Sequence, residues 1–465
     1  MNTAEKRTTV LLGSSTAAAA REKVQKKSNG DSVIIEVKPV EYVDDVSEVV
    51  LLGENEPPPD GGLRAWLVVF GAFCSSFTTF GYINAWGVFQ AYYEQNILQD
   101  SPPSTIAWIG SVQVTGPLFV IMRILKWKQY SLLFFPGLIV GRLFDMGYFR
   151  VNLIWASTLL VLSIFVVPEC KEFWHFLLCQ GFATGLAAGT IFGPCIALVT
   201  QWFSKRRGLA LGLFTTGSAA GGTVIPITVR SLIPRIGYPW TMRVLGFITL
   251  IVQGLAILTM RRRTTPSRVP GAPFFTFSFF KLPSYSLYCL STFTVFLGFY
   301  TLLTYVASTA ASLGVPENAS FFFVAYCNAA SGLGRVFAGL VADRFGALNV
   351  MIPLTAICGI MTYAWPFAKT EGQLIAICII YGTCTGSYAA LLPGPVVPMG
   401  DIKQVGQRIG MMLTILAFGG LLGPPTSGEV NTQYGLKAMG FYAGSIVLFG
   451  VFLMCIVRAL LAKGR

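Results

Sequence analysis

The sequence is poor in charged residues, and the acids it has are concentrated at one end. Charged residues make up only 12% of the 465 residues, hydrophobic residues make up 54%, and the mean hydropathy is +0.63. Residues 1–60 hold 11 of the 21 acids, so the rest of the chain carries 10 acids against 27 lysines and arginines. A soluble core does not need this much apolar surface, and the composition therefore predicts an integral membrane protein.

Histidine is almost absent, because His175 is the only one. Zinc sites and Ser-His-Asp sites depend on this residue type, so the sequence argues against an integral membrane enzyme, and we expect no catalysis, metal or cofactor. The ten cysteines are mostly isolated within apolar runs and are interpreted as packing residues. The basic residues lie between apolar runs, which indicates membrane topology and anionic lipid as partners and argues against nucleic acid.

About twelve apolar stretches follow residue 64, and they fall into two sets of six. A spanning helix needs roughly 20 apolar residues, so the pattern predicts an all-α polytopic membrane protein with 12 transmembrane helices in two pseudo-symmetric six-helix bundles. Alternate loops are basic, which predicts that both termini are cytoplasmic. The predicted parts are a disordered cytoplasmic tail at 1–60, bundles at 61–260 and 284–465, and a cytoplasmic linker at 261–283.

An internal repeat supports this division. A constant shift of 198 residues carries one set of glycines, charged residues and prolines onto another across several loops and helices. The matched pairs include Gly141 and Gly339, Asp145 and Asp343, Lys205 and Lys403, Gly208 and Gly406, Gly212 and Gly410, and Pro226 and Pro424. Two parallel six-helix halves are the architecture of one large class of transporters.

Two segments place an acid in a glycine-containing turn at the predicted cytoplasmic end of a helix. The first carries Arg142 and Asp145, and the second carries Asp343 and Arg344. A carboxylate in such a turn can bind the partly positive N-terminus of a facing helix or a loop arginine. A contact of this kind that is broken and remade would be a cytoplasmic gate. A static helix-end cap is the alternative, and the repeat-related positions favour gating.

The segment from Gly339 to Gly346 resembles the cytoplasmic signature of the major facilitator superfamily, Gly-x-x-x-Asp-Arg/Lys-x-Gly. Pro59 to Trp66 is similar to the start of helix one in the monocarboxylate porter family. Trp108 to Ser111, Phe203 to Arg207 and Gly423 to Pro425 agree with the same family. The likeness runs from about residue 57 to the end and is strongest to the fungal branch. It implies the major facilitator fold and the transport of carboxylates or other small solutes by alternating access.

Polar or amphipathic residues that interrupt helices one, seven, eight and ten are the candidate solute contacts. They are Asn84, Tyr300, Tyr305, Asn328, Arg335 and Tyr388. Each could equally be a hydrogen-bonding contact between helices. Animal porters have a lysine where our alignment puts Asn84 and an aspartate where it puts Ser331. A buried arginine without a nearby acid favours an anionic solute or a backbone partner, whereas proton coupling is implied only by the family resemblance.

The region of helix two is longer than one span needs. Ser104 to Asp145 is 42 residues, and family members lack most of Val114 to Gln129. Without those 16 residues the helix would be about 39 Å long, a plausible tilted span. Because valine codons begin with GT and glutamine can be CAG, we hypothesise a retained intron in the gene model. A functional insert on the membrane surface is the alternative.

The sequence therefore predicts a secondary active transporter that moves a small organic solute, with a monocarboxylate or related organic anion as the first candidate. An exporter of a fungal secondary metabolite is one alternative. A nutrient sensor or receptor on a transporter fold is another, and it would bind solute without net flux. We expect a functional monomer in the plasma membrane, with a coupled proton as a further partner that the family suggests.

Overall fold

The structure is a computed structural model, and it describes residues 58–101, 105, 106, 109, 110, 135–263, 277–400 and 404–463. All regular secondary structure within these residues is helical, as predicted. Most of the predicted tail, the proposed insert at 114–129 and residues 264–276 of the predicted linker lie outside the described residues. The predicted boundaries of tail, bundles and linker stay predictions.

Six helices form the first half of the described chain. Gly237 interrupts the long helix Arg207–Thr259 with a left-handed φ of 76°, a backbone conformation that glycine adopts without steric cost, and so divides it into α5 and α6. Short π-helical stretches occur within α1 and α4. The bounds are α1 Leu63–Ile97, α2 Phe135–Asp145, α3 Phe149–Val166, α4 Phe173–Trp202, α5 207–236 and α6 238–259.

Six further helices form the second half, and they repeat the same interruption. Gly435, with a φ of 83°, divides the helix Val405–Lys463 into α11 and α12, and it lies 198 residues after Gly237. The repeat seen in the sequence therefore extends to this backbone feature. The bounds are α7 Pro283–Ser312, α8 Glu317–Phe345, α9 Ala347–Ala364, α10 Glu371–Leu391, α11 405–434 and α12 436–463.

Eight helical stretches of the described residues are long and apolar enough to cross a membrane. Two of these are the 53-residue and 59-residue helices that the glycines divide, so the eight stretches contain ten of the helices named above. The others are α2, with 11 described residues, and α8, which carries Asn328, Arg335 and Asp343. The expected number of twelve transmembrane helices stays a prediction.

Helices of the same half pack closely through glycine. A Cβ atom on Gly221 of α5 would lie 2.3 Å from the carbonyl oxygen of Phe77 in α1. At the repeat-related position in α11, a Cβ atom on Gly419 would lie 2.4 Å from the carbonyl oxygen of Phe293 in α7. Lipid provides no hydrophobic force between helices, so close van der Waals packing of small residues is what holds such pairs together.

Buried apolar side chains form three clusters. The largest contains residues of both halves, such as Leu198 and Ile409, and it occupies the helix ends near Asp145 and Asp343. At the opposite helix ends, one cluster lies wholly within the first half and another wholly within the second. The two halves therefore share a core at one end, which we call the aspartate end, and have separate cores at the other.

Candidate functional site

Asp343, near the end of α8, accepts hydrogen bonds from the first turn of α5. Its Oδ1 accepts the N–H of Gly208 at 2.6 Å, and its Oδ2 accepts the N–H of Leu209 at 3.0 Å. First-turn N–H groups have no partner within their own helix and lie at the positive end of the helix dipole. A carboxylate of the second half thus caps a helix of the first half. We call this the second aspartate contact.

Asp145, the last residue of α2, makes the corresponding contact with α11. Its Oδ2 accepts the N–H of Gln407 at 3.1 Å, and its carboxylate is also hydrogen-bonded to the N–H of Gly406. These two donors lie 198 residues after Gly208 and Leu209, the donors of the second contact. The acids are related by the same shift, because Asp343 lies 198 residues after Asp145. This is the first aspartate contact. The repeat is therefore crossed, because the acid of each half caps a helix of the other half.

Glycine is required at these contacts because the helices approach closely. A Cβ atom on Gly208 would lie 2.4 Å from the carbonyl oxygen of Gly339, and one on Gly141 would lie 2.5 Å from the carbonyl oxygen of Gly406. These distances are too short for any side chain without movement of the backbone. The matched glycines of the repeat therefore permit the two aspartates to reach their donors.

The arginines near the aspartates are placed differently. Arg142 is buried and lies close enough to Asp145 to attract its carboxylate electrostatically, whereas Arg344 is exposed. Arg262, after α6, also attracts the carboxylate of Asp145 electrostatically. It donates a hydrogen bond to the carbonyl of Phe144, and its guanidinium lies 4.8 Å from the centre of the Phe144 ring. Sequence analysis missed Arg262 because it has no counterpart in the repeat.

Arg335 of α8 is 9% exposed and reaches across to α5 of the first half. Its Nη1 donates to the carbonyl of Thr215 and to the hydroxyl of Ser218. Its Nε is buried and has no hydrogen-bond partner among the described residues. A guanidinium removed from water is stabilised only when its donors are paired, so this group is suited to bind an acceptor that enters between the halves.

Asn84 and Asn328, which belong to different halves, lie on either side of Gly222. A Cβ atom on Gly222 would lie 2.9 Å from the Cβ of Asn84 and 3.6 Å from the Nδ2 of Asn328. These residues line a cavity of about 60 Å³ together with Pro226, Ile227 and other side chains. Sites that hold small organic ligands usually measure about 300–1,000 Å³, so a solute needs the halves to move apart there.

Two of the predicted tyrosines belong to one aromatic group beside Arg335. The ring of Tyr300 lies 5.7 Å from those of Phe296 and Phe299, and the ring of Tyr388 lies 6.0 and 5.4 Å from the same two rings. Tyr300 is close enough to Arg335 for the two side chains to interact electrostatically. The hydroxyl of Tyr388 is buried without a hydrogen-bond partner among the described residues. A positively charged side chain, that of Arg335, therefore lies beside an aromatic surface.

Tyr305 differs from the other candidates because its hydroxyl joins two helices. It donates to the carbonyl of Pro424 at 3.2 Å and so links α7 to α11. For Tyr305 this geometry favours the alternative, a hydrogen-bonding contact between helices.

Ser218 was missed by sequence analysis although it joins two of the predicted residues. Its carbonyl accepts from Asn84 Nδ2 at 3.5 Å, and its hydroxyl accepts from Arg335. The signal was a hydroxyl within the glycine-rich stretch of α5, where neighbouring helices lie close together. The described part of the chain contains no group of three or more histidine, cysteine, aspartate or glutamate residues that could hold a metal ion.

The sequence pattern of one transporter family matches nearly all of the described chain. The model of the Major Facilitator Superfamily matches residues 68–397 and 288–463. The chain belongs to the Major Facilitator Superfamily. It is therefore a membrane transporter, and the twofold arrangement of its helices is the fold of that family.

Several curated fungal proteins are similar over most of their length. The chain is 32% identical over 405 residues to "MFS transporter asaE" of Aspergillus flavus, covering 86% of this chain and 87% of that protein. It is 32% identical over 401 residues to "Aspyridones efflux protein apdF" of Emericella nidulans, covering 85% and 78%. It is also 32% identical over 421 residues to "Fujikurins efflux protein" of Gibberella fujikuroi, covering 88% and 86%.

Solved structures of the superfamily share the fold at low sequence identity. A variant of the E. coli fucose:proton symporter FucP matches with a TM-score of 0.62 at 14% identity, covering 85% of this chain and 99% of that one. The human organic anion transporter MFSD10 matches with a TM-score of 0.60 at 16% identity, covering 86% and 100%. These likenesses confirm the predicted fold class.

Proposed function

We propose that this transporter exports a small fungal secondary metabolite that combines an acidic group with an apolar, aromatic body. The observation that carries the proposal is the buried guanidinium of Arg335, whose Nε lacks a partner among the described residues and whose Nη1 contacts α5 of the other half. The rings near Tyr300 and Tyr388 would contact the apolar body. Two of the similar fungal proteins are named as efflux proteins, which favours export.

Transport would proceed by alternating access. The two aspartate contacts hold the aspartate end closed, while the separate cores at the opposite end allow the halves to part there. When the carboxylates leave their helix N-termini, the shared core would open and expose Arg335 to solute from the cytoplasm. We propose that Arg142, Asp145 and Asp343 form this cytoplasmic gate, with Arg344 at its surface.

The same proposal includes the placement of the protein in the cell. Basic loops at the aspartate end favour a cytoplasmic position for that end and for both termini. We propose a functional monomer in the plasma membrane, surrounded by anionic lipid, that carries out no catalysis. Membership of the monocarboxylate porter branch and coupling to a proton belong to this proposal as well, and both rest on the motif resemblance.

Flux of a defined anion tests the proposal directly. We expect inside-out membrane vesicles that contain the protein to accumulate 1-naphthoate faster than acetate, because acetate has no aromatic body. Arg335→Gln removes a charged donor, and such hydrogen bonds contribute about 1.5–3 kcal/mol, so uptake of 1-naphthoate should fall roughly tenfold or more. Arg150→Gln, at an exposed position at the start of α3, is the control and should leave uptake unchanged.

Other results would point elsewhere. Equal uptake by the Arg335→Gln variant would contradict the role of this side chain in anion binding. Faster uptake of acetate than of 1-naphthoate would favour a monocarboxylate porter. Saturable binding of 1-naphthoate without uptake would indicate a sensor on a transporter fold.

A further inference from the structure

Asp60, three residues before α1, holds the loop that leads into α5. Its Oδ1 accepts the backbone N–H groups of Ser204, Lys205 and Arg206 at 2.6, 2.7 and 3.3 Å. The N–H of Asp60 donates in turn to the carbonyl of Trp202 at 3.3 Å. One carboxylate oxygen thus gathers three consecutive N–H groups, and this arrangement restricts the backbone of the loop.

The loop continues directly into the second aspartate contact. The next two backbone donors that reach a carboxylate are Gly208 and Leu209, which bind Asp343. Between the two sets lies Arg207, a partly buried cation on which both Asp60 and Asp343 act electrostatically. Two carboxylates from distant parts of the sequence therefore hold one short stretch of backbone.

The backbone of Asp60 is itself strained. Its φ of 52° is in the left-handed region, and it is the only residue other than glycine with a positive φ among the described residues. Such a conformation costs an L-residue roughly 1–2 kcal/mol, although aspartate and asparagine tolerate it better than most. The strain persists because the hydrogen bonds to the loop hold Asp60 in place, which indicates that its position matters more than its backbone preference.

We infer that Asp60 is a positioning residue of the second aspartate contact. By fixing the loop, it directs the N–H groups of Gly208 and Leu209 toward Asp343 when the aspartate end is closed. The inference rests on the proposed gating role of Asp343.

The test measures the opposite end of the molecule, where a local change in the loop has no direct effect. Ile236 and Tyr434 occupy repeat-related positions there and are 41% and 72% exposed. Spin labels are attached to cysteines introduced at these two positions, and the distance between the labels is measured by electron paramagnetic resonance. This distance shows whether that end of the molecule is open or closed. The background carries Cys179→Ser and Cys455→Ser, the two cysteines that are not buried among the described residues.

Three substitutions separate the contributions of Asp60. Asp60→Ala removes the carboxylate and leaves the strained φ, Asp60→Gly removes both, and Asp60→Asn retains an acceptor oxygen and tolerates the φ. Loss of a side-chain cap costs about 0.5–2 kcal/mol, so the Ala and Gly variants should raise the ratio of short to long label distances roughly fivefold. Asp60→Asn should change it less than twofold, as should the control Asp100→Ala at an exposed site after α1.

Distances in the Gly variant that match the unsubstituted protein would overturn the inference, because backbone strain alone would then explain any effect of alanine. An Asn variant as altered as the Gly variant would overturn it as well, since an acceptor at this position would not suffice. The measurement needs no solute, so its result is independent of the flux experiment on Arg335.

Discussion

The two aspartate contacts are related by the repeat, yet their surroundings differ. Asp145 is 3% exposed and has Arg262 nearby, whereas Asp343 is half-buried, with Arg207 and the negative charge of Asp60 in its neighbourhood. The shared features come from duplicated residues. The differences come from Arg207, whose repeat-related position holds Val405, and from the segments before α1 and after α6, which lie outside the repeat.

We expect this difference in burial to give the two contacts unequal strengths. A carboxylate in a dry environment interacts strongly with its donors and cations, and removing it leaves those partners buried and unpaired. At a half-exposed carboxylate, water competes for the same hydrogen-bond donors and partly screens the negative charge. We therefore expect the first aspartate contact to be the stronger one, although both have the same hydrogen-bond design.

Substitution of the contact glycines should have the largest effect. Gly208→Val places side-chain atoms against the backbone of Gly339, and overpacking of this kind costs about 1–3 kcal/mol. The ratio of short to long distances between the labels at Ile236 and Tyr434 should rise up to roughly a hundredfold. Gly254→Val is the control, because nothing lies within 4 Å of the position of its Cβ atom. An unchanged ratio in the Gly208 variant would show that the closed aspartate end tolerates wider helix separation.

Removal of each aspartate compares the two contacts directly. Asp145→Ala should raise the same ratio roughly thirtyfold and Asp343→Ala roughly tenfold, because the first contact is more deeply buried and hydrogen bonds to a charged group contribute about 1.5–3 kcal/mol. Adding Arg262→Gln to the Asp343→Ala variant should change the ratio of short to long label distances further. Adding it to the Asp145→Ala variant should leave that ratio nearly unchanged. A larger effect of Asp343→Ala would reverse the proposed order of strengths.

Arg344→Ala should have the smallest effect. The side chain is exposed, and surface substitutions away from buried contacts usually alter free energies by less than about 0.5 kcal/mol. The ratio of label distances should therefore change less than about twofold. A change as large as that for Asp343→Ala would restore Arg344 as a full member of the gate, as the sequence motif predicts.

Part of the candidate site could be predicted from residue types and spacing. The acids and glycines of the repeat were found because duplication leaves matching residues at a constant shift. Asn84 and Asn328 were found because polar residues are expensive in apolar helices, and the structure places both beside Gly222. Arg262 and Asp60 lie outside the repeat, so no internal match pointed to their contacts. Ser218 was overlooked because hydroxyl groups are common in membrane helices and carry little signal alone.

By itself, the sequence determined the membrane environment, the helical class and the duplication, because hydropathy and a constant residue shift are properties of the linear chain. The tertiary structure alone decided that the aspartate of each half caps a helix of the other half, and that Arg335 reaches Thr215 and Ser218. Those contacts join residues more than 100 positions apart, and they depend on how helices pack, which no local pattern specifies.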